Sequence, residues 1–126
     1  QRPAASDVYK RQNLSHNRLE LIEKNLTKPL INLIKLDLSH NQIKKIQDDA
    51  FSSLKYLKIL YLNLNSFYQI NNKTFLGLES IKNIYISREL IQNNQNFLIK
   101  SLNLKLLSRL VLDYRFYEST HINYLE

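Results

Sequence analysis

Asp37, Ser39 and His40 are the residue types of a hydrolytic triad: a carboxylate to orient an imidazole base, and a hydroxyl to attack. Such a set works only if the base lies within hydrogen-bond reach of the nucleophile and donors surround a developing oxyanion. Asp37 and Ser39 stand two apart on one extended stretch, which argues against that arrangement, and no catalytic residue is assigned. His16 and His40 are 24 residues apart. On adjacent strands about 5 Å apart two imidazoles could share a metal, but a third ligand is missing and no metal is expected. Asp48 and Asp49 are better read as solvated or turn-forming carboxylates than as a calcium site, which takes about six or more oxygens. With no Cys there is no disulfide, zinc thiolate or cysteine nucleophile, and a single Gly leaves nothing to cradle a nucleotide phosphate. The expectation is a non-enzyme without a cofactor.

The interval between the two histidines recurs along the chain, and it defines the elements that must hold every side chain just named. Leu33 to Leu54, LIKLDLSHNQIKKIQDDAFSSL, finds a partial copy of itself 24 residues before and after. The same step aligns Asn17, Asn41 and Asn65, then Leu14, Leu38, Leu62 and Ile86, and also Phe51 with Phe75. Self-similarity at a period of 20 to 50 residues is the mark of a solenoid, whose units bury their apolar sides only by stacking. Leu36-Asp37-Leu38, Leu60-Tyr61-Leu62, Ile84-Tyr85-Ile86 and Leu110-Val111-Leu112 alternate at period two, which predicts short strands with one face buried. About 20 residues separate successive strands, too many for a hairpin and suited to an arc that returns the chain for parallel pairing. Aligning Leu110 with Ile84 requires a 26-residue third unit, and Leu102, Leu106 and Leu110 could line a helix face before the last strand. Phe51 and Leu54, like Phe75 and Leu78, have the spacing of a helical turn, so a turn or short 3₁₀ piece is expected on each arc.

The pattern LxxLxLSHNxIxxIxxxxFxxL between Leu33 and Leu54 resembles a leucine-rich repeat of the 24-residue type found in receptor ectodomains, Toll-like and related ones among them. The resemblance covers Asn13 to about Asp113 and fades toward both ends, where Thr27 replaces Phe and Glu89 replaces Asn. It implies an α/β repeat solenoid with short parallel strands on the concave face and loops, 3₁₀ turns or short helices on the convex face. It also implies that Asn17, Asn41 and Asn65 point inward as a ladder bonding the backbone of neighbouring coils, and that Phe51 and Phe75 stack as an apolar spine.

Function is then expected at the strand positions the motif leaves free. Read down the coils, these form columns: Asn13, Asp37, Tyr61, Tyr85 and Val111; Ser15, Ser39, Asn63, Ser87 and Asp113; His16, His40, Leu64, Arg88 and Tyr114. From them Asp37, His40, Tyr61, Asn63, Tyr85, Arg88 and Tyr114 are taken as a ligand-binding set for a protein or peptide, since exposed aromatics with Arg nearby are enriched at interface centres. The bland reading is that outward strand positions favour Tyr for packing alone. The alternative function is a basic module binding nucleic acid or an anionic lipid surface, because the chain carries a formal net charge of +7, of which +5 lies outside residues 1 to 12. Lys44 and Lys45 follow a strand while Lys55 and Lys58 precede one, so these four do not form a single stripe, and nucleic acid is the less favoured partner.

Residues 1 to 12 lack a 24-residue partner, and DVYKRQ, Asp7 to Gln12, resembles a translated sequencing adapter. They are read as a non-native or disordered tail preceding a solenoid over residues 13–126 of about four to five repeats, the last irregular. Three glycosylation sequons occur, at Asn13, Asn25 and Asn72; the last two lie on the outer arc and are the candidate acceptors. No apolar run reaches the length of a membrane span, so no membrane contact is expected within this segment. The resemblance points to an extracellular or cell-surface setting within a longer protein.

Overall fold

The structure is a computed structural model that describes residues 10–67, 70, 72–87 and 108–113. Its elements, in chain order, are β1 (Arg11–Asn13), β2 (Leu21–Ile22), α1 (Lys24–Thr27), β3 (Lys35–Asp37), β4 (Lys45–Ile46), β5 (Ile59–Tyr61), a 3₁₀ turn (Asn72–Phe75), β6 (Asn83–Ser87) and β7 (Leu110–Asp113). Strands β1, β3, β5, β6 and β7 form one parallel sheet in that order, so the chain winds as a solenoid with one strand per coil. Register follows the repeat: Leu36 pairs with Leu60 and Leu60 with Ile84. Ile84 pairs with Leu110, which makes the third unit 26 residues long, as the alternation requires.

The alternating strand leucines close the core because period two sends them all to one face. Leu36, Leu60 and Ile84 are fully buried, as are Leu38 and Ile43. From the opposite wall Phe51 and Phe75 pack inward as the expected spine, with Leu54 and Leu78 beside them. In the first coil the spine position belongs to Thr27, which is buried. Its single hydroxyl proton has two carbonyl acceptors in reach, Lys24 of its own turn and Ala50 of the next coil. The expected turns close at Phe51–Leu54 and Phe75–Leu78, where each leucine amide donates to the phenylalanine carbonyl; the 3₁₀ turn leads into the second, and the short α1 lies on the first arc, where no such Phe–Leu pair occurs.

Four features differ from the sequence reading or extend it. A second parallel sheet pairs β2 with β4 on the arc side, Leu21 with Lys45 and Ile22 with Ile46. It forms because the 24-residue step brings these extended segments side by side, where Gln42 and Gln47 amides reach the Leu19 and Ile22 carbonyls. The boundary at Asn13 falls inside β1, since Arg11 and Gln12 already pair with Lys35 and Leu36. Gln12 thereby stands where later coils carry Leu36, Leu60 and Ile84, a polar residue in an apolar column. His16, His40 and Leu64 all adopt left-handed backbone, with φ of 58°, 54° and 57°, so these three positions turn the chain sharply off the ends of their strands. Leu102, Leu106, Glu89, Arg88 and Tyr114 lie outside the described residues.

Candidate functional site

The outer face of the five-stranded sheet is built by the strand residues that alternate with the core leucines. Asp37, Tyr61, Tyr85 and Val111 stand side by side in register, one per strand, as the column reading requires. Tyr61 and Tyr85 stack with ring centroids 4.6 Å apart and planes 18° from parallel. An offset aromatic pair of this kind contributes about 0.5–1.5 kcal/mol beyond its area. Lys35, two residues before Asp37 and so on the same face, holds its Nζ 5.3 Å from the Tyr61 ring centroid, within range of a cation–π interaction. The result is a half-buried aromatic platform bordered on its β3 side by a cation, Lys35, and a carboxylate, Asp37. Lys35 was absent from the expected set, although period-two alternation from Asp37 is enough to place it there.

The column of Ser39 and Asn63 turns inward. Asp37 Oδ1 accepts from the Ser39 amide at 2.9 Å and from its hydroxyl at 2.6 Å, which folds the chain off the sheet face after the strand ends. Ser39 is 2% exposed and Asn63 0%, so Asn63 is corrected from a ligand-facing residue to a core one. Its carbonyl accepts the His40 amide at 3.1 Å. The alternation was carried two residues past the end of β5, where it no longer holds.

The same bonds dispose of the triad arrangement. His40 Nδ1 lies 3.2 Å from Ser39 Oγ, and Ser39 Oγ donates to Asp37, so the three side chains do meet. The hydroxyl is buried and committed to the carboxylate, out of reach of a substrate. His40 stacks on His16 with centroids 4.2 Å apart and planes at 21°. Ring-nitrogen lone pairs lie in the ring planes, so two nearly parallel imidazoles do not converge on one ion. Among the described residues no three His, Cys, Asp or Glu side chains gather in a metal-binding group.

The asparagine ladder is present in two of its three members. Asn41 Nδ2 donates to the Leu14, Leu38 and Ser39 carbonyls while Oδ1 accepts the Leu19 amide. Asn65 repeats this with Leu38, Leu62, Asn63 and the Ile43 amide. Each therefore joins its own coil to the previous one. Asn17 is exposed and bonds only Leu14 and Ser15 of its own turn, so the expectation of an inward Asn17 bonding a neighbouring coil is corrected. Asn25 is exposed on α1, and Asn72 opens the 3₁₀ turn.

Comparison with known proteins agrees with this geometry. The family model described as leucine rich repeat matches residues 31–91. Among solved structures, the crystal structure of a TLR13–ssRNA13 complex superposes with a TM-score of 0.59 at 38% sequence identity, covering 62% of this chain and 11% of that one. Comparison with curated protein sequences gives no match. The chain therefore spans about a tenth of the length of the TLR13 chain it resembles. With one parallel strand per coil, an apolar spine and asparagines bonding coil to coil, the chain has the leucine-rich-repeat fold, and its residues 31–91 match the leucine rich repeat family.

Proposed function

We propose that the chain is a recognition module, a segment of a larger receptor or secreted protein, that binds a protein or peptide through the outer face of its sheet. The Tyr61–Tyr85 stack carries this reading: two rigid aromatic bodies, ordered by register and flanked by Lys35 and Asp37, present contact area with little rotamer entropy left to lose. His40 flanks the same face at the end of its strand, and Arg88 and Tyr114 extend the set by the repeat pattern alone. Asn25, exposed on the arc away from this sheet, is a position where a glycan leaves the face clear; Asn72 is the second. The setting is the cell surface or the exterior, a reading supported by the likeness to TLR13.

The rival is nucleic acid, favoured by one observation: a cation over a stacked tyrosine pair also suits bases and phosphates. One solved structure similar to this chain is of a complex with ssRNA13, which makes the rival worth a direct contest. A displayed peptide library panned on the chain, with a ten-nucleotide uridine oligomer titrated in parallel, decides between them. The proposal expects an enriched peptide whose binding falls about tenfold with Tyr61→Ala or Tyr85→Ala. It is overturned if the oligomer binds, loses affinity steeply between low and moderate salt, and depends on the same tyrosines while no peptide does.

A further inference from the structure

A second surface lies away from the sheet face, on the flank where each arc runs into the next strand. Four residues stack there at the 24-residue step, as the backbone shows: the Ile34 amide donates to the Lys10 carbonyl at 2.7 Å, Lys58 to Ile34 at 2.8 Å and Lys82 to Lys58 at 2.9 Å. The column thus reads Lys10, Ile34, Lys58, Lys82. Two positions earlier on each coil stand Asn32, Tyr56 and Ser80, and the two columns enclose an open groove of about 440 Å³. Its lining is Lys10, Asn32, Ile34, Tyr56, Lys58 and Ser80.

The chemistry of that lining is mixed in a specific way. Ile34 and the Tyr56 ring supply apolar surface; Tyr56 is 62% exposed, the largest exposure among the large apolar side chains of the described residues. Lys10 and Lys58 stand on either side of Ile34, and Lys82 continues the positive charge one coil further. Asn32 and Ser80 add neutral hydrogen-bonding groups at the ends. Among the described residues no acidic side chain lines the groove. The geometry points to a docking site for a short acidic peptide segment, with one aliphatic side chain seated on Ile34 and Tyr56 and carboxylates on either side of it reaching Lys58 and Lys10.

Two features favour a peptide over other polyanions. Successive coils are about 4.8 Å apart, so the groove spans roughly 10 Å, the length of about three extended residues. That is too short to track a polymer backbone. Tyr56 has Asn32 and Ser80 as its column neighbours, so the run of aromatics on which single-stranded bases stack is missing here.

This site is independent of the sheet-face reading, and the test keeps the two apart. The probe is fluorescein-labelled Asp-Glu-Leu-Asp-Glu, titrated against the whole chain by fluorescence anisotropy at low salt. Tyr56→Ser and Lys58→Glu should each weaken binding about tenfold, whereas Lys45→Glu, the same charge change on β4, should change it less than about twofold. Tyr61→Ala should leave it unchanged, and Asp-Glu-Gly-Asp-Glu should bind about tenfold more weakly than the leucine peptide. Tyr56 and Lys58 are exposed, so unchanged circular dichroism of their variants is the accompanying control. Equal losses from Lys45→Glu and Lys58→Glu mean attraction to net charge alone and overturn the proposal. So does equal binding of the glycine peptide, or tighter binding of a five-nucleotide uridine oligomer or a heparin hexasaccharide with the same dependence on Tyr56 and Lys58.

Discussion

Asn41 and Tyr61 show how differently two polar-tipped residues on one coil system can be employed. Asn41 is 8% exposed and its amide satisfies carbonyls of two coils at once, so its removal leaves buried acceptors without donors. Asn41→Ala should cost about 1–3 kcal/mol in urea unfolding. Asn17→Ala, which removes only bonds within an exposed turn, should stay near about 0.5 kcal/mol. A similar loss at both positions means the ladder does not act between coils. Leu60→Ala empties a fully buried position and should cost about 2–5 kcal/mol. Its neighbour Tyr61→Ala gives up a half-buried ring, leaves no core cavity, and should cost less than Leu60→Ala, with about 0.5–1.5 kcal/mol of its loss coming from the stack on Tyr85. Chemical denaturation of the pair tests which face of β5 is the core.

At the scale of the elements, the tightest constraint sits where the 3₁₀ turn leaves for the next strand. Gly77 has φ of +91°, and a Cβ there would lie 2.5 Å from the Ser52 Cα, a backbone atom of the neighbouring arc that has no room to yield. The single glycine of the chain is therefore where two arcs touch. Gly77→Ala should destabilise by at least about 1–3 kcal/mol from the backbone conformation alone, and the clash adds to it. A thermal melt close to that of the parent chain would show that the arcs can separate at no cost. The left-handed column of His16, His40 and Leu64 belongs to this scale as well: the coil requires the conformation at each, although only Asn, Asp and His adopt it with any ease. Periodicity made the columns legible. It did not reveal that these three positions turn the chain off its strands, because side-chain alternation carries no information about where backbone dihedrals leave the β region.

The whole molecule is a stack in which each coil meets only the next, so stability should add along it with short-range coupling. Leu36 and Leu60 occupy adjacent strands, while Leu36 and Ile84 are separated by one. Leu36→Ala combined with Leu60→Ala should depart from additivity by about 0.5 kcal/mol or more. Leu36→Ala with Ile84→Ala should add within about 0.5 kcal/mol, and a double-mutant cycle in urea distinguishes the cases. Charge is also distributed at this scale: Lys45 lies on the small arc sheet, while Lys58 and Lys82 share one flank column. A net charge of +7 thus conceals a local arrangement that only the winding of the chain brings together.

The inward Asn41 and Asn65 are implied by the family resemblance; from residue identity and spacing alone came the period, the parallel strand per coil, the 26-residue third unit and the Tyr61–Tyr85 neighbourhood. Each of these follows from two periodicities, 24 along the coil and two along the strand, and a periodic quantity is local enough to be read in a list of residues. The tertiary structure decided the rest: the burial of Asn63, the exposure of Asn17, the second sheet of β2 and β4, the pairing of Arg11 and Gln12, the cation at Lys35 and the groove around Tyr56. These depend on where a strand stops, which amide faces a neighbouring coil, and how far apart two arcs stand. Such quantities arise only once the coils are stacked, because contacts between coils, and not preferences within one, determine them.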